Sequence, residues 1–270
     1  MFEVRVRGLD DHRVRLISPE SPGFDVLAGP LMHERVAPVG LQLKPMLAIV
    51  ANDSPQTIVS VAIVWRITHA EGRTSRCWGH FSFPETVVGD ALIRRGADAI
   101  WPGRHYLAAN SLVIHGYGNV DPYYDQFLGQ FVDEKNAMLA DATTLDIEIN
   151  AVIFADGTLI GPDDNGMLAE LFSLCVREKQ NWYRGIIEAL DQGASVDEAF
   201  AALRVYQEEQ ARHDRQMPSY FSEPDRRHEI WRMQGAADAW SWRLKFSDDQ
   251  IPALLKPAIR LEPFAVRRRA

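Results

Sequence analysis

The sequence predicts an α+β protein, with a β-sandwich over residues 1–160 and a helical region over 161–270. Three observations carry this expectation. Leu145, Ile147, Ile149, Ala151 and Ile153 alternate with Asp146, Glu148 and Asn150, the period of a half-buried strand. From Leu168 the period lengthens, and Leu168, Leu171, Phe172, Cys175, Trp182, Tyr183, Ile186 and Leu190 share one helical stripe. Between the two patterns stand Asp156-Gly157 and Gly161-Pro162-Asp163. The first is a hairpin signal, because Gly accepts the positive φ of a tight turn; the second closes the excursion and opens a helix.

Composition bounds the class of molecule. The chain has 270 residues, 46% hydrophobic and 24% charged, which is room for one large domain or two ordinary ones. Lys plus Arg is 29 against 37 for Asp plus Glu, a formal net charge of −8. That balance argues against general binding to nucleic acid, which needs a basic footprint. The dense basic run Arg267-Arg268-Arg269 reads as a solvated terminus. Cys77 and Cys175 form neither a framework nor a zinc pattern and read as buried, reduced thiols. The start, MFEVRVRG, is charged where a signal peptide needs an apolar run, and no stretch approaches the ~18 apolar residues of a membrane span. The expectation is a soluble cytoplasmic protein.

Taken in order, Phe2, Val4 and Val6 form a first strand, and Val14 to Ile17 pairs back on it after Asp10-Asp11. Ser18 to Lys44 is rich in Pro and Gly and reads as a surface connection. Met46 to Val50 is a short apolar strand. Thr57 to His69 is a β-branched strand carrying Trp65, and a turn at Ala70-Glu71-Gly72-Arg73 returns Arg76 to Phe83 as its hairpin partner. Residues 84–100 contain at most a short helix. Tyr106 to Ile114 is a strand, His115 to Gln126 a Gly- and Tyr-rich loop, and Phe127 to Leu139 a short helix. On the organising strand Val152 and Phe154 turn the polar face apolar, so the long helix after Gly166 should cover them.

This order resembles bacterial immunoglobulin-like modules: an apolar strand, an Asn-Asp-Ser-Pro turn, a Trp-bearing strand, then a Pro-Gly turn before another strand. The resemblance spans the first 155 residues or so and implies an immunoglobulin-like β-sandwich with the helices packed against it. It implies no function.

In the helical half, Gly193 stops the first helix and Ser195-Val196-Asp197-Glu198 is a capping box that starts the second. A third helix should open at Ser222-Glu223-Pro224-Asp225 and run to Phe246. Ser247-Asp248-Asp249-Gln250 opens a last one that Pro257 ends. On the third helix Ile230, Met233, Ala236, Ala237, Trp240 and Leu244 form a docking stripe. Trp231, Trp242 and Phe246 gather on the other side. Aromatics there suit a partner surface or a homo-oligomer contact, unless the chain's own connections fold over them.

The motifs of chemistry are absent from the sequence: no GxSxG, P-loop, GxGxxG or HExxH occurs. Asp156, Asp163 and Asp164 form an acidic loop, but it fails as a calcium loop. With Asp156 first, Ile160 stands at position five and Met167 where a bidentate Glu belongs. These acids read as turn and helix-cap residues, and as candidate acids of a junction between the two parts. His69 and His80 lie on neighbouring strands and read as sheet histidines, while strand alternation sends Cys77 and His80 to opposite faces. Tyr117, Tyr123 and Tyr124 give the loop a recognition composition, or cover the end of the sandwich. No metal or cofactor is expected, and no nucleic-acid or membrane partner. The reading is a non-catalytic interaction or assembly module. Its alternative is an enzyme or small-ligand sensor with a site at the junction, assembled from residues distant in sequence.

Overall fold

A computed structural model describes residues 2–32, 41–90, 99–109, 124–213 and 227–269. The fold is mixed α+β. It divides into two compact units, Met1–Ser82 with Ala99–Leu168 and Arg268–Ala270, and Phe83–Asp98 with Ala169–Arg267. Residues 83–98, which interrupt the first unit in sequence, thus belong to the helical unit.

The first unit holds β1 (Glu3–Arg7), β2 (Val14–Ile17), β3 (Ala48–Asn52), β4 (Ile58–His69), β5 (Thr74–Ser82), β6 (His105–Ala108), β7 (Ala142–Phe154) and β8 (Thr158–Ile160). A two-residue β9 (Arg267–Arg268) ends the larger sheet, whose order is β5-β4-β7-β8-β9 with β1 also on β7; β2-β3-β6 form a second sheet. The strongest periodic segments fold as expected. β4 and β5 are a hairpin in unbroken register from Ser60↔Ser82 to Thr68↔Thr74, and β7 turns into β8 through Gly157 at φ 86°. Gly79 is fixed by a close approach, because a Cβ there would lie 2.7 Å from the Trp65 ring across the hairpin. Trp65 is fully buried and donates its indole N–H to the Met46 carbonyl at 2.9 Å.

Three sequence expectations need correction. β1 does not pair with β2: it runs parallel to β7, with Arg5 opposite Asp146 and Arg7 opposite Glu148. Arg13 binds the Asp11 carboxylate and helps turn the chain away, so β2 pairs with β3, Val14 opposite Asn52. Residues 18–44 are not merely a surface connection. They contain α1 (Phe24–Ala28), and Phe24, Ala28 and Met32 pack into a core cluster with Leu47, Ile49, Leu107 and Ala109. Phe24, Leu27, Ala28 and Leu31 do fall at helical spacing, but over only two turns inside a segment rich in Pro and Gly. Finally, the polar face of β7 is not open to water, since Asp146 and Asn150 are buried. The immunoglobulin-like order is not established: that fold pairs two antiparallel sheets, whereas β1 and β7 are parallel and among the described residues the second sheet consists of β2, β3 and β6.

Phe154 is fully buried, with the Arg13 guanidinium 4.9 Å above its ring centre. α3 (Tyr124–Leu139) also belongs to this unit. Among the described residues no helix is long and apolar enough to cross a membrane.

The second unit holds α2 (Pro84–Val88), α4 (Met167–Asp191), α5 (Val196–His213), α6 (Arg227–Lys245) and α7 (Gln250–Ala258), the first two residues of α4 falling in the first unit. The expected capping box at Ser195 forms: Glu198 accepts the Ser195 backbone N–H at 2.8 Å while its own N–H donates to Ser195 Oγ at 3.3 Å. At Ser247 only one arm forms: Gln250 Oε1 accepts the Ser247 N–H at 3.2 Å, while the Gln250 N–H donates to the Ser247 carbonyl at 3.0 Å. The face of α6 is read in part. Its buried residues are Gly235, Ala236, Asp238, Ala239 and Trp242; of the expected docking stripe Ala236 is fully buried, whereas Leu244 is 74% exposed. Gly235 favours this face: a Cβ would stand 3.2 Å from the Trp182 ring and 3.3 Å from the Lys179 backbone nitrogen, so its absence lets α6 approach α4 closely.

Candidate functional site

α4 carries a cation on its apolar stripe. Cys175, Lys179 and Tyr183 succeed one another at one helical turn, and all are buried. Lys179 is 1% exposed. Its Nζ lies 2.8 Å from Glu85 Oε1 on α2, 2.8 Å from Asp238 Oδ2 on α6 and 3.6 Å from Asp90 Oδ2. The Tyr183 hydroxyl donates to Asp90 Oδ2 at 2.7 Å. Desolvation by itself would lower the pKa of Lys179, but the charges of Asp238, Asp90 and Glu85 outweigh it and hold the pKa above the ordinary lysine value. Burial pushes the Cys175 thiol and the Tyr183 phenol up, so neither is a ready nucleophile or base. The arrangement is a sealed ion cluster. It ties α2, α4 and α6 together and offers substrate no entrance.

A second constellation sits at the end of the β4–β5 hairpin. His69 Nδ1 lies 2.7 Å from Asp141 Oδ1, and His69 Nε2 lies 2.9 Å from Ser75 Oγ. The neutral tautomer with its proton on Nδ1 satisfies both bonds. The register of β4 against β7 shifts between Thr68 and His69, and such a bulge re-aims a side chain. His69 is buried, whereas Asp141 is 51% exposed. The His69 hydrogen bond is the main cause that holds the Asp141 pKa below its ordinary value. The order serine–histidine–aspartate is that of a charge-stabilised nucleophile. Ser75, however, lies within a regular strand, and its Asp is half open to water.

The helical unit also has a groove of about 610 Å³ between α4, α5 and α6. Ile186 and Leu203 are its buried residues, and Trp182 forms a wall. The Trp182 indole N–H donates to the Arg232 carbonyl at 2.9 Å, and the Arg232 guanidinium stands 5.5 Å from the ring centre. Glu178 and Arg232 put both signs of charge on the lining.

The residues singled out from sequence are dispersed. Asp156 closes the β7–β8 turn, accepting the Thr158 N–H at 2.9 Å and the Gln56 side chain at 2.5 Å. Despite desolvation, those bonds lower its pKa. Asp163 is buried at φ 44° and accepts the Leu168 N–H at 2.9 Å, capping α4. Asp164 is exposed and donates its own N–H to Asn150 Oδ1 at 3.0 Å. Trp242 is fully buried and cannot face a partner; Phe246 is half-buried, its ring centre 5.1 Å from that of Trp242, and Trp231 is half-buried too. The three aromatics lie on the stripe of Gly235 and Asp238, so they flank the α6 face that packs. Tyr117 and Tyr123 lie outside the described residues, and of Tyr124 only the backbone, at the start of α3, is described. His69 and His80 do not meet, because His80 stands opposite Ala62 at the far end of the hairpin.

Lys179 and the His69 chain were missed. Lys179 had a signal: a cation one turn from Cys175 and one from Tyr183, on an apolar stripe, demands buried anions. For Ser75 and Asp141 the sequence has no comparable signal, since their meeting depends on the register of two strands. Among the described residues no group of three or more His, Cys, Asp or Glu is arranged to hold a metal. Comparison with protein-family models, with curated proteins and with solved structures finds no match.

Proposed function

We propose that the protein is a non-catalytic interaction module that receives an amphipathic helical segment of a protein partner in the groove between α4, α5 and α6. The observation that supports this is the groove's chemistry. Its floor is apolar, its tryptophan wall is fixed by a hydrogen bond to the backbone, and Glu178 and Arg232 stand at its sides. Helix-in-groove recognition needs that combination: apolar anchors enter the floor, and flanking charges set direction. Gly185 keeps the groove open, as a Cβ there would meet nothing within 4 Å.

Gly185→Leu tests the reading. It fills the groove from α4 while raising helix propensity by ~0.8 kcal/mol, so the fold should hold. Binding is read by anisotropy with a panel of labelled amphipathic helical peptides, and the site by hydrogen exchange over residues 182–186 and 199–203. At least one peptide should protect those amides in wild type and lose affinity for Gly185→Leu. A panel without any such peptide, or a variant that binds as wild type does, sinks the proposal. Protection that rises with protein concentration and no peptide would make the occupant a second copy.

A second reading, acyl transfer by Ser75, is favoured by the Ser75–His69–Asp141 hydrogen bonds at 2.9 and 2.7 Å. Ser75 Oγ would attack the acyl carbon, its proton would pass to His69 Nε2 and then to the leaving alcohol, and water would release the acyl group. A fluorophosphonate probe that labels wild type and spares Ser75→Ala and His69→Gln would favour this reading over the groove; an unlabelled wild type would remove it.

A further inference from the structure

Asp90 stands apart from the other carboxylates of the ion cluster. Lys179 makes its short contacts, 2.8 Å each, to Glu85 and Asp238 and lies 3.6 Å from Asp90. Asp90 Oδ2 accepts the Tyr183 hydroxyl, and Oδ1 has no hydrogen bond among the described residues. Only 2% of the side chain reaches solvent. The titratable groups around it are Glu85 on α2, Cys175, Lys179 and Tyr183 on α4, and Asp238 on α6. An ionised Asp90 would place a carboxylate oxygen without a donor in a dry interior, beside carboxylates that hold the shared ammonium more closely. Protonation relieves that state at far smaller cost than burying the charge.

We propose that folded Asp90 keeps its proton through a pH range in which the unfolded chain has already lost it, so that the helical unit takes up a proton when it folds there and is weakened as pH rises through that range. Burial, the largest influence, pushes the Asp90 carboxyl above its ordinary value; Glu85 and Asp238 push the same way, while Lys179 and the Tyr183 hydrogen bond pull it back. The unfolded chain loses this proton in the ordinary carboxylate range, and the folded chain loses it higher. Between the two the native state holds more protons, so stability falls as pH rises, until the folded group has also ionised.

Infrared spectroscopy tests the assignment in intact protein. Within that range folded wild type should show the C=O stretch of a protonated carboxyl, and Asp90→Asn should lack that band. Denaturant titrations supply a second readout, because Asn imitates the neutral acid. Across the window the folding constant of wild type should fall relative to that of Asp90→Asn by up to about tenfold per pH unit. A wild type without the band, a band that persists in Asp90→Asn, or parallel pH profiles overturn the proposal. So does an Asp90→Asn variant that cannot fold, since a neutral carboxyl tolerates its amide isostere.

Discussion

The two units bury opposite kinds of side chain at their centres. In the sheet unit β4 is buried from Ile58 to Trp65, apolar except for Ser60. Its ions lie towards water, with Arg7 and Arg66 sharing Glu148 at 3.4 and 3.3 Å. In the helical unit Lys179 is among the largest fully buried side chains, with Glu85 and Asp238 around it. A dispersion core is non-directional and almost indifferent to pH. An ionic core is directional, fails when one partner is removed, and titrates. The contrast shows two ways of fixing elements. The sheet unit gets its register from ladders, whereas α2, α4 and α6 share no ladder and converge on one ammonium.

The largest effects should come from opening each core. Lys179→Met leaves Glu85 and Asp238 as uncompensated buried charges and should cost about 3–5 kcal/mol. Phe154→Ala removes a buried ring from the sheet unit and should cost about the same, 3–5 kcal/mol. What distinguishes them is pH. Because the folded state raises the Lys179 pKa, its stabilisation is fully present below the ordinary lysine value and is lost as pH rises through the raised one. The penalty of Lys179→Met should therefore shrink in strong alkali, and that of Phe154→Ala should not. Denaturant titrations at several pH values decide it, and equal pH profiles would break the contrast.

A middle-sized effect tests the ladder side. Gly161 has φ 93°, and a Cβ there would stand 2.5 Å from the Asn150 carbonyl oxygen. Gly161→Ala should cost about 1–3 kcal/mol, through the strained φ and the clash together. Hydrogen exchange should locate the loss at β7 and β8. Equal loosening of α4 and α6 would mean that the division into two cores is not how the molecule opens.

What was legible in the sequence was local. The Gly157 turn, the stripe of α4 and the box at Ser195 are set by residues near in the chain and fold as read; the period-two run of β7 is a strand, though its polar face is buried, and the box at Ser247 forms one arm. The rest needs partners remote in the chain. The parallel pairing of β1 joins Glu3 to Thr144, and the ion cluster joins Glu85, Lys179 and Asp238. The partial reading of α6 has a specific cause. Gly235 and Asp238 score as non-core by hydropathy, yet one permits close helix approach and the other answers a buried lysine. Counting apolar residues thus put the exposed Leu244 on the docking stripe beside the buried Ala236, and left open whether the chain itself covers Trp242, which is fully buried.

The smallest expected effect sharpens the account of the helical unit, because it separates the helix ends from the ionic centre. At the start of α5, Ser195 Oγ donates to Glu198 Oε2 at 2.7 Å and accepts the Glu198 N–H at 3.3 Å, while the same carboxylate takes the Ser195 N–H at 2.8 Å. Ser195→Ala removes the hydroxyl and should cost about 1 kcal/mol, the usual worth of an N-cap. The Ser195 hydrogen bonds lower the Glu198 pKa, so that contribution is present above the ordinary glutamate value and lost as pH falls through the lowered one. The Ser195→Ala penalty should thus diminish in acid, opposite in direction to the alkaline loss expected for Lys179. Both variants measured over one pH series give a sign as well as a size. If Ser195→Ala costs as much as Lys179→Met, the helix termini hold the unit and the buried ammonium does not.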